Sequence, residues 1–160
     1  MSAVDAAVRL GCERLFDDDN ITQVRGRRVG LVTNHSGVDS QLRSTADRLS
    51  TTNGIELSLL FGPEHGIRGD AEDGVTVDTG RDARTGVPTV SLYGERREPT
   101  PDELAGLDVL LYDIQDVGVR FYTYLYTMSL SMVACAAAGI PFVVLDRPNP
   151  LGGVDVEGNI

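Results

Sequence analysis

The chain has 160 residues, 41% of them hydrophobic and 24% charged, enough to bury a core without disulfides or metal, and no apolar run nears the roughly 20 residues needed to span a bilayer. Its 24 acidic residues oppose 14 basic ones, a formal charge of −10, which disfavours a nucleic-acid partner. All 14 basic residues are arginine; an acidic surface suits a high-salt cytoplasm or reflects genomic base composition, and either way it bears on solubility, not chemistry.

The opening MSAVDAAVRLGCERLFDDDN lacks the basic start and continuous apolar stretch of a secretory signal, so a cytoplasmic location is expected. Within it Val4, Ala7, Val8, Leu10 and Leu15 fall at three and four spacings, which predicts an amphipathic helix. Five short apolar runs follow: RVGLVTN, IELSLLFG, PTVSLYG, DVLLYDIQD and PFVVLDRPN. Rich in Val, Leu and Ile and closed by turn residues, they read as buried parallel strands. Helical patterns lie between them. These are QLRSTADRLS, a short TPDELAGL in which Thr100 and Glu103 make a capping box, and the long RFYTYLYTMSLSMVACAAAG ending on Gly139. The alternation predicts an α/β, Rossmann-like three-layer domain with a mostly parallel five-stranded sheet spanning residues 1–160. Gly62 to Pro88 is too long and too rich in Gly, Asp and Thr for a compact crossover, and reads as a functional or mobile loop. Cys12 and Cys135 lack metal-type spacing and are expected as buried free thiols. There is no internal repeat or low-complexity tract.

The polar residues after the five strands form a pattern: Asn34 and His35; Glu64 and His65; Tyr93; Asp113, Gln115, Asp116 and Arg120; Asp146, Arg147 and Asn149. In open parallel sheets ligands bind outside the carboxyl ends of the strands, so these side chains are expected along one strip of surface. Each also has a structural reading. Asn34, Asp146 and Asn149 suit helix caps or turns. Asp113 and Asp116 need partners where a buried strand emerges, whether Arg120, Arg147 or a ligand hydroxyl. Some of Phe121, Tyr122, Tyr124 and Tyr126 must be core, leaving one or two to face a sugar or ring-shaped ligand.

Nucleotide binding has little support, since there is neither a P-loop nor a G-x-G-x-x-G after the first strand. A nucleophile elbow is also missing. The two histidines arise from different loops without a metal-type spacing, so no metal and no other cofactor is expected; a metal-dependent hydrolase using His35, His65 and Asp116 stays open as an alternative. A carboxylate-based reaction remains. Glu64, held by a Gly-Pro turn beside an imidazole, is the best general acid, the group a glycosidase needs at the leaving oxygen.

The blocks GLVTNHSGVD, LFGPEHGIRGDAEDG, VPTVSLYG, REPTPDEL, DVLLYDIQDVGVRFYTYLYTM and PFVVLDRPNPLGGVDVEG occur in order from Val29 to Gly158. Together they resemble the exo-β-N-acetylmuramidases, bacterial peptidoglycan-recycling glycosidases. The resemblance implies a Rossmann-like amino-terminal domain, a second carboxyl-terminal domain and an active site between them. It implies a reaction that releases N-acetylmuramic acid from the non-reducing end of peptidoglycan fragments, so that an amino sugar or muropeptide is the expected partner. The GPEHG block makes Glu64 the candidate acid, with His65 beside it. Asn34, His35, Arg68, Asp113, Asp116, Arg120, Tyr122, Asp146, Arg147 and Asn149 lie in blocks that would line the same cleft. Arg120 or Arg147 would suit the lactyl carboxylate of muramic acid. Asp116 or Asp113 would activate water or attack carbon, unless the sugar's own acetamido group is the nucleophile.

The matching sequence stops at LGGVDVEGNI. The resemblance therefore leads to the expectation that the family's carboxyl-terminal domain is absent from this chain, with a separate polypeptide as one way to supply it. An isolated domain would expose the docking face for that half, with weak activity, association or instability as consequences. The alternative function is an incomplete or inactive sugar-binding module.

Overall fold

The computed structural model describes residues 8–69, 80–94 and 96–158. Its strands are β1 (Arg28–Thr33), β2 (Glu56–Gly62), β3 (Gly80–Arg81), β4 (Pro88–Ser91), β5 (Val109–Asp113) and β6 (Phe142–Val144). Five are the apolar runs of the sequence and pair in parallel. The sixth, β3, adds antiparallel to β4 at one edge, so the sheet has one strand more than expected. At two residues it is too short to leave a period-two pattern. Asp70 and the rest of residues 70–79, the middle of the expected long loop, lie outside the described residues.

Across the sheet the order is β3-β4-β2-β1-β5-β6. Counting the parallel strands alone, this runs third, second, first, fourth, fifth, the doubly wound Rossmann order whose direction reverses between β1 and β5. Helices α1 (Gly11–Arg14), α2 (Thr45–Thr51), α3 (Pro101–Leu104) and α4 (Tyr124–Ala138) complete the layers. Cys12 and Leu15 with Ala46 and Leu49 pack on Val29, Leu31, Val109 and Leu111 on one face. Leu104, Leu107, Tyr124 and Cys135 pack on Val32, Leu110 and Tyr112 on the other. Each fully buried leucine contributes about 1.5–3 kcal/mol to this core.

One irregularity matters for β2. Val29 pairs with Leu57 but Gly30 with Leu59, a bulge at Ser58. Leu57 and Leu60, three apart, therefore enter the same core layer, and the strand's phase is reset just before it delivers Gly62 to the site.

Two helices are shorter than expected among the described residues, and Val4 and Ala7 of the opening one lie outside those residues. Among the described residues the opening helix is confined to Gly11–Arg14, because the Gly11 amide donates to the Asp146 carbonyl at 2.8 Å and ties the preceding chain to the end of the sheet. Likewise α4 begins at Tyr124 rather than Arg120, since the Gly118 amide and the Val119 carbonyl are used in turns. Its end at Gly139 (φ 71°) and the Thr100–Glu103 capping box of α3 are as expected.

Candidate active site

The reversal between β1 and β5 forces their following loops apart, and a hydrogen-bonded bridge spans the gap. The Ser36 hydroxyl donates to Asn34 Oδ1 at 2.6 Å and accepts from the Gln115 amide at 2.9 Å. Gln115 Nε2 in turn donates to the Pro148 carbonyl at 3.0 Å, joining the loop after β6. Three carboxyl-end loops are thus fixed relative to one another without a ligand.

Beside this bridge, β2 ends at Gly62 and turns through Pro63–Gly66, closed by the Gly66 amide donating to the Pro63 carbonyl at 3.0 Å. His65 occupies the third turn position with φ 70°. Left-handed backbone there is ordinarily taken by Gly or Asn and costs another residue about 1–2 kcal/mol. Strain of this kind persists where the surroundings hold it, often at functional sites. The turn carries Glu64, half-buried, into a cavity of about 300 Å³ whose walls include Tyr93, Arg97, Thr123, Tyr126 and Leu130. One carboxyl group, aromatic rings and hydroxyls in so small a space suit a sugar ring.

Under the turn lies Tyr124, nearly buried, its ring set edge-on to Tyr122 at 4.7 Å between centroids. Burial pushes the Tyr124 phenol above its ordinary pKa against the pull of the neighbouring Asn34 amide, and Tyr122 and Glu64 add to the rise. Asn34 Oδ1 accepts from the Ser36 amide at 2.9 Å, a turn-closing role, while its buried Nδ2 lacks a hydrogen-bond partner among the described residues. Asn34, Glu64, Tyr122 and Tyr124 therefore converge.

Other expected residues do not reach this space. Arg147 and Asp113, expected to meet either each other or substrate, meet each other and are sealed inside: Arg147 Nε donates to Asp113 Oδ1 at 2.7 Å, with side-chain exposures of 5% and 0%. Arg147 also donates to the Val38 carbonyl at 2.9 Å, so the pair locks the loops after β1, β5 and β6 together. Burial disfavours the Arg147 charge, but Asp113 more than offsets it and the guanidinium stays charged. Arg68 is likewise a strut, donating to both Asp82 oxygens at 2.8 and 2.6 Å and to Asp47 at 2.8 Å. It fastens the segment after β2 to α2 and to the turn that precedes β4.

Asp146 and Asn149 hold turns, accepting from the Arg147 and Leu151 amides at 2.9 Å. Asn149 also packs against Gly118 (φ 75°), where any Cβ would collide with its amide. It borders, with Arg120, a separate groove toward the tail. Asp116 is half-buried and accepts from the Gly118 amide at 2.6 Å. His35 is exposed over Gly69 (φ 74°), where a Cβ would stand 2.7 Å from Nδ1. It borders a larger cleft of about 560 Å³ on the α2 side. The arginines of that cleft are already paired, Arg43 and Arg48 with Asp39 and Arg68 and Arg84 with Asp47. The smaller cavity is the better chemical site because it holds Glu64. The sequence reading missed Arg97 there. Its signal was its place at the head of the REPTPDEL block, in the loop after the third parallel strand.

Fold and site together define a doubly wound α/β domain with an acid-bearing, aromatic-walled cavity at the carboxyl ends of its strands. Residues 29–160 match the family model described as exo-β-N-acetylmuramidase NamZ, N-terminal, and the chain belongs to that family. It is 52% identical over 153 residues to the peptidoglycan β-N-acetylmuramidase NamZ of Bacillus subtilis (strain 168), covering 96% of this chain and 37% of that protein. Two crystal structures of DUF1343 family proteins from Bacteroides fragilis NCTC 9343 share the fold. One superposes with a TM-score of 0.85 at 47% identity, over 95% of this chain and 38% of the other. The second gives 0.72 at 34%, over 89% and 35%. The chain thus spans little more than a third of the length of these relatives.

Proposed function

We propose that this chain carries the acid-bearing side of a glycoside hydrolase site that releases N-acetylmuramic acid from the non-reducing ends of peptidoglycan fragments. Glu64 is the general acid, donating its proton to the leaving glycosidic oxygen. The observation that carries this reading is the strained Pro63–Gly66 turn, which holds Glu64 over a sugar-sized cavity next to Tyr93 and Tyr126. Family membership and the name of the Bacillus subtilis relative support the same reaction class. His65 sets the turn geometry, and Asn34 and Tyr122 lie against Tyr124 beside Glu64. The substrate's own acetamido group supplies the second function, since Asp116 does not line this cavity. Among the described residues no group of three His, Cys, Asp or Glu comes together to hold a metal, so a hydrolase using His35, His65 and Asp116 lacks geometric support.

A cytoplasmic location belongs to this reading. Both cysteines are free and buried, and burial pushes the Cys135 thiol up to about 11, the state of unreactive thiols in a reducing compartment. No helix among the described residues is long and apolar enough to cross a membrane.

The second reading, a binding module that needs another polypeptide segment before it can turn over substrate, is favoured by α4. Its 15 residues contain no charge, yet Leu125, Tyr126, Met132 and Val133 are 46–65% exposed, and Phe121 just before it is 83% exposed. An apolar face of this extent calls for cover, and the relatives' additional length is one source of it. The deciding experiment measures release of a chromogenic aglycone from an N-acetylmuramic acid β-glycoside by the chain and its Glu64→Gln variant. Turnover abolished by the substitution supports the hydrolase; binding without turnover in the parent chain supports the module.

A further inference from the structure

Resting on that reading, a second question is which group recognises the carboxylate that distinguishes muramic acid from glucosamine. The arginines first considered for it are committed elsewhere or displaced. Arg147 is sealed against Asp113, and Arg68 is held by Asp82 and Asp47. Arg120 borders the groove toward the tail rather than the Glu64 cavity. Arg96, next in the same loop as Arg97, is paired with Glu103 at 2.8 Å. Arg97 differs from all of these. It is exposed, it has no side-chain hydrogen bond or ion-pair partner among the described residues, and it lines the cavity that holds Glu64.

We propose that Arg97 is the specificity-determining residue of this site, receiving the lactyl carboxylate of an N-acetylmuramic acid unit seated in the Glu64 cavity. The chemistry favours it in three ways. A guanidinium offers two parallel N–H donors that match a carboxylate's two oxygens, and the resulting charge-assisted bonds are roughly twice as strong as neutral ones. With no ion pair among the described residues to break first, Arg97 gives up only hydration and side-chain freedom when substrate arrives. Arg97 and Glu64 line one cavity, so a carboxylate held by Arg97 keeps the sugar ring beside the acid. Tyr93, Tyr126 and Leu130 offer the apolar surface for the ring, so binding divides into an apolar wall common to amino sugars and one cationic group selective for the acidic one.

The test is direct binding, independent of turnover. N-acetylmuramic acid, its methyl ester and N-acetylglucosamine are titrated by NMR against the 160-residue chain and its Arg97→Gln, Arg97→Lys and Glu64→Gln variants, with thermal melts to verify folding. The expected result is an about 10- to 100-fold preference of the parent chain for the free acid over ester and glucosamine, as a charge-assisted pair gives. Arg97→Gln should erase the preference while leaving glucosamine binding unchanged, Arg97→Lys should keep part of it, and Glu64→Gln should keep all of it. A preference that survives Arg97→Gln overturns the assignment and leaves the hydrolase reading standing. A parent chain with no preference for the acid overturns it as well. If instead the preference depends on Arg97 but turnover survives Glu64→Gln, the Glu64 reading alone fails.

Discussion

Replacing Arg147 by alanine is expected to be among the most damaging single changes in this domain. The guanidinium is buried, bonds Asp113 at 2.7 Å and the Val38 carbonyl at 2.9 Å, and lies 3.4 Å from Cys12 Sγ. Removing it leaves the fully buried Asp113 carboxylate without a counter-charge, and its second oxygen already lacks a partner. Breaking one side of a buried pair costs about 3–5 kcal/mol, a large part of the 5–15 kcal/mol that holds a typical domain folded. With an unfolding entropy of about 2.1 cal/mol/K per residue, a chain of 160 residues should melt about 9–15 °C lower. Urea unfolding followed by circular dichroism measures the free energy, and a scan measures the melting temperature. The double variant Asp113→Leu with Arg147→Met should be less damaged than Arg147→Ala, because no unpaired charge remains. A loss below about 1 kcal/mol in Arg147→Ala would refute the claim that this pair locks the three loops, and would return Arg147 to the list of substrate contacts.

His65→Gly should relieve the left-handed strain, changing stability by between zero and about +1 kcal/mol after the added unfolded-state entropy of glycine, while lowering turnover; urea midpoints and rate assays on one preparation test both halves. Thr100→Ala removes the side-chain oxygen that accepts from the Glu103 amide and should cost about 1 kcal/mol by the same unfolding assay. Asp82 is held well below the usual carboxylate range, chiefly by its bonds from Arg68. Its unfolded form takes up a proton first, so the stability it contributes is present above about pH 4–5 and is lost as pH falls below that. Asp82→Asn should therefore flatten the acid limb of a stability–pH profile, and an unchanged limb would count against the strut. Val133→Glu, on the outer face of α4, should leave the unfolding free energy within about 0.5 kcal/mol and reduce uptake of an apolar dye.

The parallel strands, their order of appearance and the capping box of α3 were legible because each rests on a local, periodic signal. Strand β3 was not, since two residues make no period, and neither was the short α1, because its limits are set by a bond from Gly11 to Asp146 across 135 positions of sequence. The carboxyl-end argument placed Glu64, Asn34 and Tyr122 at one edge of the sheet, and in the structure they lie around Tyr124. It left Asp113 and Arg147 open between each other and a ligand and placed Arg68 at the cleft, because proximity to a strand end says nothing about whether a charge points outward to a ligand or inward to a partner. That choice depends on which opposite charge the tertiary fold brings near, as Asp82 does for Arg68 from beyond residues 70–79.

The acidic excess of the chain thus has a structural consequence that composition alone left at solubility. With 24 acids to 14 arginines, most guanidiniums near the carboxyl edge find a carboxylate within the fold. Each such pair converts a positive charge from a ligand-binding group into a fastener between loops, and the fasteners hold a strained turn where flexible loops would let it relax. Against that background an arginine without a partner among the described residues, beside the acid, is informative in a way that a basic patch on a cationic protein would not be. The same surplus of carboxylates that rigidifies the site repels anionic ligands from most of the surface. A carboxylate-bearing sugar would then be drawn to the edge of the cavity where Arg97 has no carboxylate partner among the described residues, which is how selectivity here can rest on Arg97.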